Sequence, residues 1–510
     1  MSLSKLFHVL ILLFFISCNN SNEISKPNIV LFMVDDLGWQ DTSVPFWNNK
    51  TKYNKLYNTP NMELLAEMGV KFTNAYATPV CSPSRISLMT GMNAAKHRVT
   101  NWTLHANKKK PAEINHKNFE FPNWNYNGLS TSDSISNTIY ATPLPQVLKD
   151  NGYYTIHAGK AHLGAIGYPS SDPLNIGFDI NIAGHAAGAP QSYLGTDDFG
   201  NNDPAKKIWA VPGLEKYHGE DIFLTQALSE EVLEKLQKPI NSKSPFFLYF
   251  SLYGVHAPLM EDNRFVEKYK NIGLENSEIK YASMVESMDH ALGVVLDELK
   301  KNNILENTIV VFMSDNGGLS AVARDGKRHQ HNYPLKSGKG SIYEGGIRVP
   351  MIVYSPFHKT NVKEINHPVI IDDFFPSILE FANLENSSLI QEIDGQSFVP
   401  LLKNKEIDDK PLFWHYPNWW GPSGPGIGSY SAVRQGEWKF IYFHNTQIME
   451  LYNLEKDIFE NENLIFVNNS KSEELANVLS EYLKSVDAQM PYNKTTNSRV
   501  PWPNEHPVFN

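Results

Sequence analysis

Residues 81–91 read CSPSRISLMTG, and this stretch decides how the rest of the chain is interpreted. It places the thiol of Cys81 close to the guanidinium of Arg85 in a chain that has only 2 cysteines. Pro83 has the fixed φ of a first helical turn, and Ser82 or Ser84 can cap exposed amides. We therefore expect a helix N-terminus at Cys81, which would favour an oxyanion there. The alternative is that Cys81 is a small buried hydrophobic residue, as lone cysteines often are.

The segments before this stretch predict the helix and strands that lead into it. Thr59 and Pro60 open a helix through Met68, and residues 70–76 are typical of a strand that precedes the Cys81 loop. Further upstream, residues 28–34 form a continuous apolar run, NIVLFMV, that contains β-branched side chains. Such a run predicts a strand buried inside a parallel sheet.

Two of the predicted strands end in side chains that carry oxygen. Asp35 and Asp36 follow the first apolar run, and Asp315 and Asn316 follow a second run, TIVVFM, at residues 308–313. Ligands of open α/β sheets bind beyond the carboxyl ends of the strands, and a doubly wound sheet could bring these ends together. Adjacent carboxylates are costly unless a cation neutralises them, and oxygen donors suit Ca²⁺ or Mg²⁺ better than zinc. For Asp35 and Asp36 alone, a helix cap or turn explains the pattern equally well.

Two further predicted strands lead to candidate cationic and histidine side chains. The strand at residues 153–157 precedes GKAHLG, in which Lys160 and His162 can point to one face of an extended chain. The buried strand PFFLYFS, at residues 245–251, ends shortly before His256. The alternatives are a solvated loop pair for Lys160 and His162 and a satisfied core histidine for His256.

Helical patterns alternate with these strands and predict an α/β fold. Residues 143–150, 281–301 and 372–382 are typical of helices, and the apolar positions of the second one belong to the core. We expect a large domain at residues 27–384, with a mostly parallel central sheet flanked by helices. Shorter alternating segments then predict a C-terminal subdomain at residues 385–510. Its expected antiparallel strands are residues 412–416, 429–433, 438–443 and 447–452, and its expected helix is residues 472–486.

Composition limits the class of protein. The 510 residues are 41% hydrophobic and 20% charged, which is typical of a globular protein with a substantial core. The net charge is −10, which argues against a general surface for nucleic acid. An anionic substrate would therefore need a local cationic pocket.

The N-terminus resembles a bacterial lipoprotein signal. An apolar run at residues 6–16 is too short to span a membrane, and it precedes Ser17 and Cys18. We expect residues 1–18 to be a signal peptide that ends at the lipobox cysteine, with lipidation of Cys18. The protein would then be exported and anchored to the outer membrane, facing the periplasm or the cell surface. Simple secretion to the periplasm is the alternative.

Several motifs together resemble those of the formylglycine-dependent (type I) sulfatase family. CSPSRISLMTG matches the family signature CxPSRxxLxTG at every fixed position, and GKAHLG resembles GKWHLG with Ala161 in place of tryptophan. HAP, which begins at His256, matches the family's HxP. PLKSGKGSIYEGGIRVP, at residues 334–350, resembles PLRGGKxxxYEGGxRVP, although Lys336 and Ser337 replace Arg-Gly. The resemblance indicates a bacterial polysaccharide sulfatase with an alkaline-phosphatase-like fold.

This resemblance implies hydrolysis of sulfate esters to an alcohol and inorganic sulfate. In the family, a formylglycine-generating enzyme oxidises the signature cysteine to Cα-formylglycine (3-oxoalanine), whose hydrate attacks sulfur and gives a covalent sulfo-enzyme. The implied catalytic residues are Cys81, Arg85, Lys160, His162, His256 and Lys339, with His256 preferred as the proton donor to the leaving oxygen. The implied ligands of Ca²⁺, or alternatively Mg²⁺, are Asp35, Asp36, Cys81, Asp315 and Asn316.

The substrate is expected to be a sulfated carbohydrate, by analogy an algal polymer such as ulvan or carrageenan. The aromatic stretch WHYPNWW at residues 414–420 could stack on sugar rings, followed by a loop rich in glycine and proline. The candidate sugar contacts are His97, Arg98, His185, His415, Trp419 and Trp420. The alternative is that these aromatic residues pack the interface between the two domains.

The sequence leaves two other functions open. Phosphodiesterases and phosphonate monoester hydrolases use the same aldehyde and metal on the same fold. A lipoprotein that only binds sulfated glycan, with Cys81 unconverted, is the alternative from another class.

Overall fold

The computed structural model of the protein describes residues 26–108, 116–322, 324, 326–358 and 361–509. The predicted signal peptide and Cys18 lie outside the described residues. The described strands, in chain order, are β1 (Asn28–Val34), β2 (Val70–Tyr76), β3 (Phe119–Glu120), β4 (Gly128–Ser130), β5 (Thr138–Tyr140), β6 (Tyr154–Gly159), β7 (Ile180–Ile182), β8 (Phe246–Ser251), β9 (Thr308–Ser314), β10 (Arg348–Tyr354), β11 (Glu364–Ile365), β12 (Val369–Ile370), β13 (Leu412–Tyr416), β14 (Tyr430–Gln435), β15 (Trp438–Phe443), β16 (Met449–Asn453), β17 (Tyr492–Asn493) and β18 (Ser498–Arg499). The described α-helices are α1 (Lys52–Leu56), α2 (Pro60–Met68), α3 (Cys81–Thr90), α4 (Ala94–His97), α5 (Leu144–Asp150), α6 (Leu224–Ser242), α7 (Asn276–Lys301), α8 (Glu344–Ile347), α9 (Phe374–Phe381), α10 (Val399–Leu402) and α11 (Asn469–Ser485).

The largest sheet has nine strands among these residues, in the order β11-β2-β10-β9-β1-β8-β6-β7, with β12 beside β2. β1 pairs in parallel with β8 and β9, and β6 pairs in parallel with β7 and β8. β10 is the exception, because it runs antiparallel to both β9 and β2. The predicted mostly parallel sheet is therefore confirmed, and the carboxyl ends of β1, β6, β8 and β9 lie along one edge.

The central strands are buried on both faces, as their apolar sequences predict. In β1, Ile29 and Leu31 face one hydrophobic cluster, while Val30 and Phe32 face another. This alternation follows from the period of two along a strand. Helices α3, α5 and α9 cover the first face, and α2, α6 and α7 cover the second. Within the described part of the chain, no helix is both long and apolar enough to cross a membrane.

The C-terminal part of the chain forms a second, smaller sheet. Strands β13, β14, β15 and β16 pair in that order, all antiparallel, as the sequence predicts. Helix α11 packs on this sheet through Leu475, Leu479 and Leu483. The indole nitrogen of Trp414 donates to the carbonyl of Ala77 at 2.9 Å, which ties the sheet to the loop before α3. The domain boundary at residue 385 stays a prediction.

Most predicted elements have the expected bounds within a few residues. The strands predicted at residues 28–34, 70–76, 412–416 and 438–443 are reproduced without change. The predicted helix at residues 281–301 begins five residues earlier, at Asn276, and its apolar positions are buried. The helix predicted from residue 372 begins instead at Phe374, after a 3₁₀ turn.

Candidate active site

Helix α3 begins at Cys81 itself, directly after the loop that follows β2. The expectation that Ser82 or Ser84 caps this helix is wrong, because the N-cap residue is Val80, which makes no side-chain cap hydrogen bond. The Oγ of Ser84 accepts a hydrogen bond from the amide of Thr78 at 2.9 Å. The Oγ of Ser82 accepts one from the amide of Thr103 at 3.1 Å. Both serines therefore hold neighbouring loops around the start of the helix.

Three carboxylates and the Cys81 thiol meet beyond the ends of β1 and β9. Ligand atoms of Asp35, Asp36, Cys81 and Asp315 all lie within 4.8 Å of one another, and all four residues are buried. The parallel register of the two strands pairs their last residues, so that the following aspartates come to the same level. The structure thus brings together residues that are far apart in sequence.

Two oxygens of this cluster have no hydrogen-bond partner among the described residues, namely Oδ2 of Asp36 and Oδ1 of Asn316. The side-chain nitrogen of Asn316 donates to Oδ1 of Asp36 at 2.8 Å, which places Asn316 in the same group. Buried oxygens without partners are costly, and a hard divalent cation would satisfy them. The donor set therefore fits Ca²⁺ or Mg²⁺.

Lys160 and Arg85 bring positive charge to this cluster. The Nζ of Lys160 lies 2.6 Å from Oδ2 of Asp35 and 4.0 Å from Oδ2 of Asp315. The Nε and Nη2 of Arg85 lie 2.9 and 2.8 Å from Oδ2 of Asp315. The Nη1 of Arg85 donates to the carbonyl of Lys160 at 2.9 Å and to the Oγ of Ser251 at 2.5 Å. Arg85 therefore links α3 to the ends of β6, β8 and β9.

Lys339, in the segment between β9 and α8, also reaches the cluster. Its Nζ lies 2.6 Å from Oδ1 of Asp36 and donates to the Sγ of Cys81 at 3.1 Å. The structure thus joins Lys339 to the thiol and to the metal cluster at once.

Burial and neighbouring charges separate the pKa values of the three carboxyl groups. Burial, followed by repulsion from Asp315, raises the pKa of Asp35 to about 8. Burial acts in the same direction on Asp36, but the ammonium of Lys339 holds the pKa of Asp36 well below its ordinary value. Burial also acts to raise the pKa of Asp315, but the charge of Arg85 outweighs it, so this pKa is lowered. The cluster carries negative charge that a divalent cation would offset.

Cys81 is an unreactive thiol in this environment. Burial raises the pKa of Cys81 to about 12, even though Lys160 and Lys339 act in the opposite direction. The thiolate is the nucleophilic form of cysteine, so the unmodified residue would attack poorly. This environment therefore disfavours catalysis by the thiolate of Cys81.

His256 directs one ring nitrogen at the cluster. Its Nε2 lies 3.7 Å from Oδ2 of Asp36, while its Nδ1 lies 2.6 Å from the carbonyl of Ala257. The contact with a carbonyl requires the proton on Nδ1 in the neutral ring, which leaves Nε2 facing the carboxylates. Burial, followed by the charge of Lys339, lowers the pKa of His256 to about 4.

His162 is buried beside the site but is oriented differently. Its Nε2 lies 2.9 Å from the carbonyl of Thr103, which requires a proton on Nε2. Its Nδ1 lies against Gly188 and has no hydrogen-bond partner in the described part of the chain. Burial holds the pKa of His162 well below its ordinary value. The bonded Nε2 of His162 is therefore directed at the Thr103 carbonyl, whereas the Nε2 of His256 faces the carboxylates.

Two candidate sugar contacts lie in the protein interior instead. The ring nitrogens of His97 bond to the Oγ of Ser87 at 3.1 Å and the amide of Val99 at 3.0 Å. The ring nitrogens of His415 lie 2.8 Å from the Oγ of Ser431 and 2.9 Å from the carbonyl of Gln489. Because both buried rings are fully bonded, the expectation that His97 and His415 contact substrate is corrected to a packing role.

The other four candidate sugar contacts are less enclosed. Arg98 donates to the carbonyl and carboxylate of Asp487 at 2.7 and 2.6 Å, and therefore ties α4 to the C-terminal part. His185 is half-buried, and its carbonyl accepts from the amide of His162 at 3.2 Å. Trp419 and Trp420 are also half-buried. His185, Trp419 and Trp420 stay candidates for contact with a substrate.

Sequence reasoning missed Ser251, which holds Arg85. A signal was available, because Ser251 is the last residue of β8 and ligand sites lie at the carboxyl ends of parallel strands. It also missed Trp102, whose ring centroid lies 6.5 Å from that of His162. The polar stretch around Trp102 has no periodicity that would have indicated its position.

Comparisons with known proteins identify the relatives of this chain. The family model described as sulfatase matches residues 27–384, and the model described as N-sulphoglucosamine sulphohydrolase, C-terminal, matches residues 337–489. A sulfatase of Formosa agariphila is 30% identical over 494 residues, which cover 88% of this chain and 86% of the relative. The N-acetylgalactosamine-6-sulfatase of Mus musculus is 31% identical over 406 residues, which cover 77% of this chain and 69% of the relative.

Two solved structures share the fold. The crystal structure of Ps i-CgsB in complex with k-i-k-neocarrahexaose is 29% identical, with a TM-score of 0.70, and the match covers 90% of this chain and 93% of that chain. The phosphonate monoester hydrolase of Agrobacterium radiobacter is 17% identical, with a TM-score of 0.56 and coverage of 90% and 95%. The second similarity shows the fold alone.

Proposed function

Because this chain belongs to the sulfatase family and is a sulfuric ester hydrolase that acts on sulfated glycans, we propose that it removes sulfate from carrageenan-type oligosaccharides with a formylglycine made from Cys81. Support for the substrate comes from the similarity to Ps i-CgsB, whose structure contains a neocarrahexaose. Ulvan oligosaccharides are the second candidate substrate.

The observation that carries the proposed chemistry is the position of Cys81. It starts α3, donors and carboxylates surround it, and its own thiol is held protonated by burial. A site of this kind suits an oxygen nucleophile made by oxidation of the cysteine better than it suits a thiol.

The residues of the chain have separable roles in this proposal. Formylglycine at position 81 would supply the oxygen nucleophile, and a cation held by the carboxylates and Asn316 would polarise the sulfate. Lys160 and Lys339 would neutralise charge on the sulfuryl oxygens, because preorganised cations act most strongly where charge develops. Arg85 would hold the carboxylate of Asp315 and the end of β8 in place around position 81.

Proton transfer to the leaving oxygen is assigned to His256. Its Nδ1–H is fixed by the carbonyl of Ala257, so the ring donates from Nε2 only as the imidazolium, which would direct that proton toward the carboxylate edge of the site. A bound anionic sulfate ester would favour this charged form, because an opposite charge nearby raises the pKa of a histidine. A substrate oxygen at this edge could accept that proton. His162 would serve to position the neighbouring loops through its bond to Thr103.

Maturation would require a partner enzyme that acts on the unfolded chain. Cys81 is only 3% exposed in the folded protein, and its thiol lies among buried charged groups. A formylglycine-generating enzyme could not reach it there, so we propose that the oxidation precedes folding.

We also propose that the protein is exported and anchored through Cys18. The proposal is supported by the apolar run at residues 6–16, which is followed by Ser17 and Cys18. Labelling with a radioactive fatty acid in the native host tests this, and the variant Cys18→Ala should remain unlabelled.

The decisive experiment is mass analysis of the peptide that contains residue 81, prepared from the native host. An aldehyde at this position supports the proposed mechanism, whereas a thiol supports a protein that only binds sulfated glycan. Sulfate release from carrageenan and ulvan oligosaccharides, measured beside hydrolysis of an aryl phosphodiester, then separates sulfatase from phosphodiesterase activity. Faster turnover of the phosphodiester would overturn the sulfatase assignment.

A further inference from the structure

We propose that Trp102 and Trp209 form a second sugar subsite beside the active site, in which their indoles stack on a pyranose ring next to the sulfated residue. This inference rests on the proposed function, since it concerns the same glycan substrate. The two ring centroids lie 6.4 Å apart with an interplanar angle of 51°, and Trp102 also lies 6.5 Å from the ring of His162. The pair thus forms an angled aromatic wall beside a buried residue of the site.

Trp102 is held in place by the active-site loops. The next residue, Thr103, accepts a hydrogen bond from His162 through its carbonyl at 2.9 Å. The amide of Thr103 donates to the Oγ of Ser82, the second residue of α3, at 3.1 Å. The backbone that carries Trp102 is therefore fixed to both GKAHLG and the Cys81 helix.

Trp209 is held from the other side by a loop that packs against His162. The carbonyl of Trp209 accepts a hydrogen bond from the amide of Gln191 at 2.8 Å. Three residues before Gln191, Gly188 approaches the His162 ring so closely that a Cβ there would lie 2.3 Å from Cε1. A residue with a side chain would push this loop away from the site.

The same loop also contacts the proposed proton donor. The hydroxyl of Tyr193 donates to the carbonyl of His256 at 2.8 Å and lies 2.7 Å from the carbonyl of Tyr253. The segment at residues 188–193, which bonds to Trp209, thus contacts both His162 and His256.

Polar atoms near this wall lack a protein partner in the described part of the chain. Neither Trp102 nor Trp209 has a hydrogen-bond acceptor for its indole N–H among the residues that the structure describes. The Nε2 of His185, whose carbonyl bonds to His162, is buried and also has no partner there, so a movement of the ring would be needed to present it to a sugar hydroxyl. Aromatic faces bind the apolar face of a sugar ring, and free N–H and imidazole groups bind its hydroxyls.

Packing alone does not explain the two indoles. The buried cluster beneath them consists of three small or medium residues, Leu104, Ala186 and Ala187. Both indoles are partly buried and pack against this small cluster. An aromatic ring that is only partly buried keeps a face with which it can contact a ligand.

Binding to a protein that cannot turn over tests the inference. In a Cys81→Ala background, calorimetric titration with a carrageenan hexasaccharide should give a Kd that rises about tenfold or more when Trp102→Ala and Trp209→Ala are combined. The conservative pair Trp102→Phe and Trp209→Phe should restore most of the affinity. Trp502→Ala, which changes a half-buried indole near the C-terminus, should leave the Kd at the background value.

The same substitutions in the active enzyme separate this subsite from the chemistry. The double alanine variant should retain kcat/KM for 4-nitrophenyl sulfate and lose it for the hexasaccharide. An unchanged Kd, absence of hexasaccharide binding with both indoles intact, or equal losses on the two substrates would overturn the subsite. Failure of the wild-type enzyme to release sulfate from any ester would instead overturn the proposed function, while the titration still decides the subsite.

Discussion

The ammonium of Lys339 lies 3.1 Å from the Sγ of Cys81, although 258 positions separate the two residues in sequence. The same ammonium lies 2.6 Å from Oδ1 of Asp36. One buried cation therefore touches both the position proposed for the nucleophile and the proposed metal cluster. In a site shielded from water, a charge at such a distance acts far more strongly than it would in solvent.

Replacement of Lys339 should impair turnover without preventing folding. We expect Lys339→Ala to lower kcat by about 10²–10³, because it removes a preorganised charge from the sulfuryl oxygens. Lys336→Ala is the matched control on the same loop, since Lys336 bonds to the carbonyl of Glu460 outside the cluster. Steady-state kinetics on 4-nitrophenyl sulfate should show near wild-type activity for the control. Similar rates for both variants would contradict the role of Lys339.

Cys81→Ala should abolish sulfatase activity and leave the fold intact. The substitution removes a single sulfur atom from a buried position, which costs about 1 kcal/mol of stability. Thermal unfolding followed by circular dichroism should therefore show a small change in Tm. Cys81→Ser should also be inactive unless the host oxidises serine. Retention of activity by Cys81→Ala would show that position 81 does not carry the nucleophile.

Removal of divalent cations should inactivate the enzyme, and calcium should restore it. The expectation follows from the unpartnered oxygens of Asp36 and Asn316 and from the buried carboxylates around them. Asn316→Ala should weaken calcium binding in a direct titration, independently of activity. Asn302→Ala, at the C-terminal end of α7, is the control. Recovery with zinc and not with calcium would point to a ligand set that includes His256.

The strands and their carboxylates are predictable from the sequence because local patterns determine them. A buried parallel strand needs an apolar run, and its carboxyl end is the position from which ligands are held, so Asp35 and Asp315 can be paired from the sequence alone. The strand direction of β10 has no such signal, since a buried antiparallel strand has the same apolar composition.

Local sequence patterns do not predict the roles of individual histidines. His97 and His415 are fixed by Ser87, Ser431 and backbone groups that come from distant parts of the chain. Sequence shows that a histidine is present, but its partners depend on tertiary packing. The prediction that Ser84 caps α3 was wrong for the same reason. The amide of Thr78 competes with the helix amides for the hydroxyl of Ser84.

The buried ion network around Lys439 should govern how stability depends on pH. Lys439 lies 2.8 Å from Glu344 and 2.9 Å from Glu460, and all three side chains are 0% exposed. Burial raises the pKa of Glu460 from 4.5 to about 7 even though Lys439 opposes this shift. An acid with a raised pKa binds more protons in the folded state, so its contribution to stability falls as pH rises from 4.5 to 7.

Lys439→Met should therefore destabilise the protein by about 3–5 kcal/mol, because the buried carboxylate of Glu460 loses its cation and, among the described residues, Glu344 keeps only its pairing with Arg348. The loss should be larger at pH 8 than at pH 5, where protonation relieves the repulsion. Urea unfolding at the two pH values measures this difference. Lys456→Met, at an exposed lysine of the same part of the chain, should behave like the wild type. A deficit that does not change with pH would contradict the electrostatic explanation.

Trp419 and Trp420 should differ in their effects, although both were predicted as sugar contacts. Trp420 lies on Gly340, next to Lys339, so closely that a Cβ at Gly340 would be 2.0 Å from its Cε3. Trp420→Ala should therefore lower Tm and impair both large and small substrates. In the described part of the chain, the indole nitrogen of Trp419 lies 3.4 Å from the carbonyl of Gly421, and its ring makes a tilted contact with Phe121. Trp419→Ala should leave Tm and 4-nitrophenyl sulfate hydrolysis unchanged and should raise KM for a carrageenan hexasaccharide about tenfold, because stacking on the sugar is lost. Equal KM values for the hexasaccharide in the variant and the wild type would assign Trp419 to packing against Phe121.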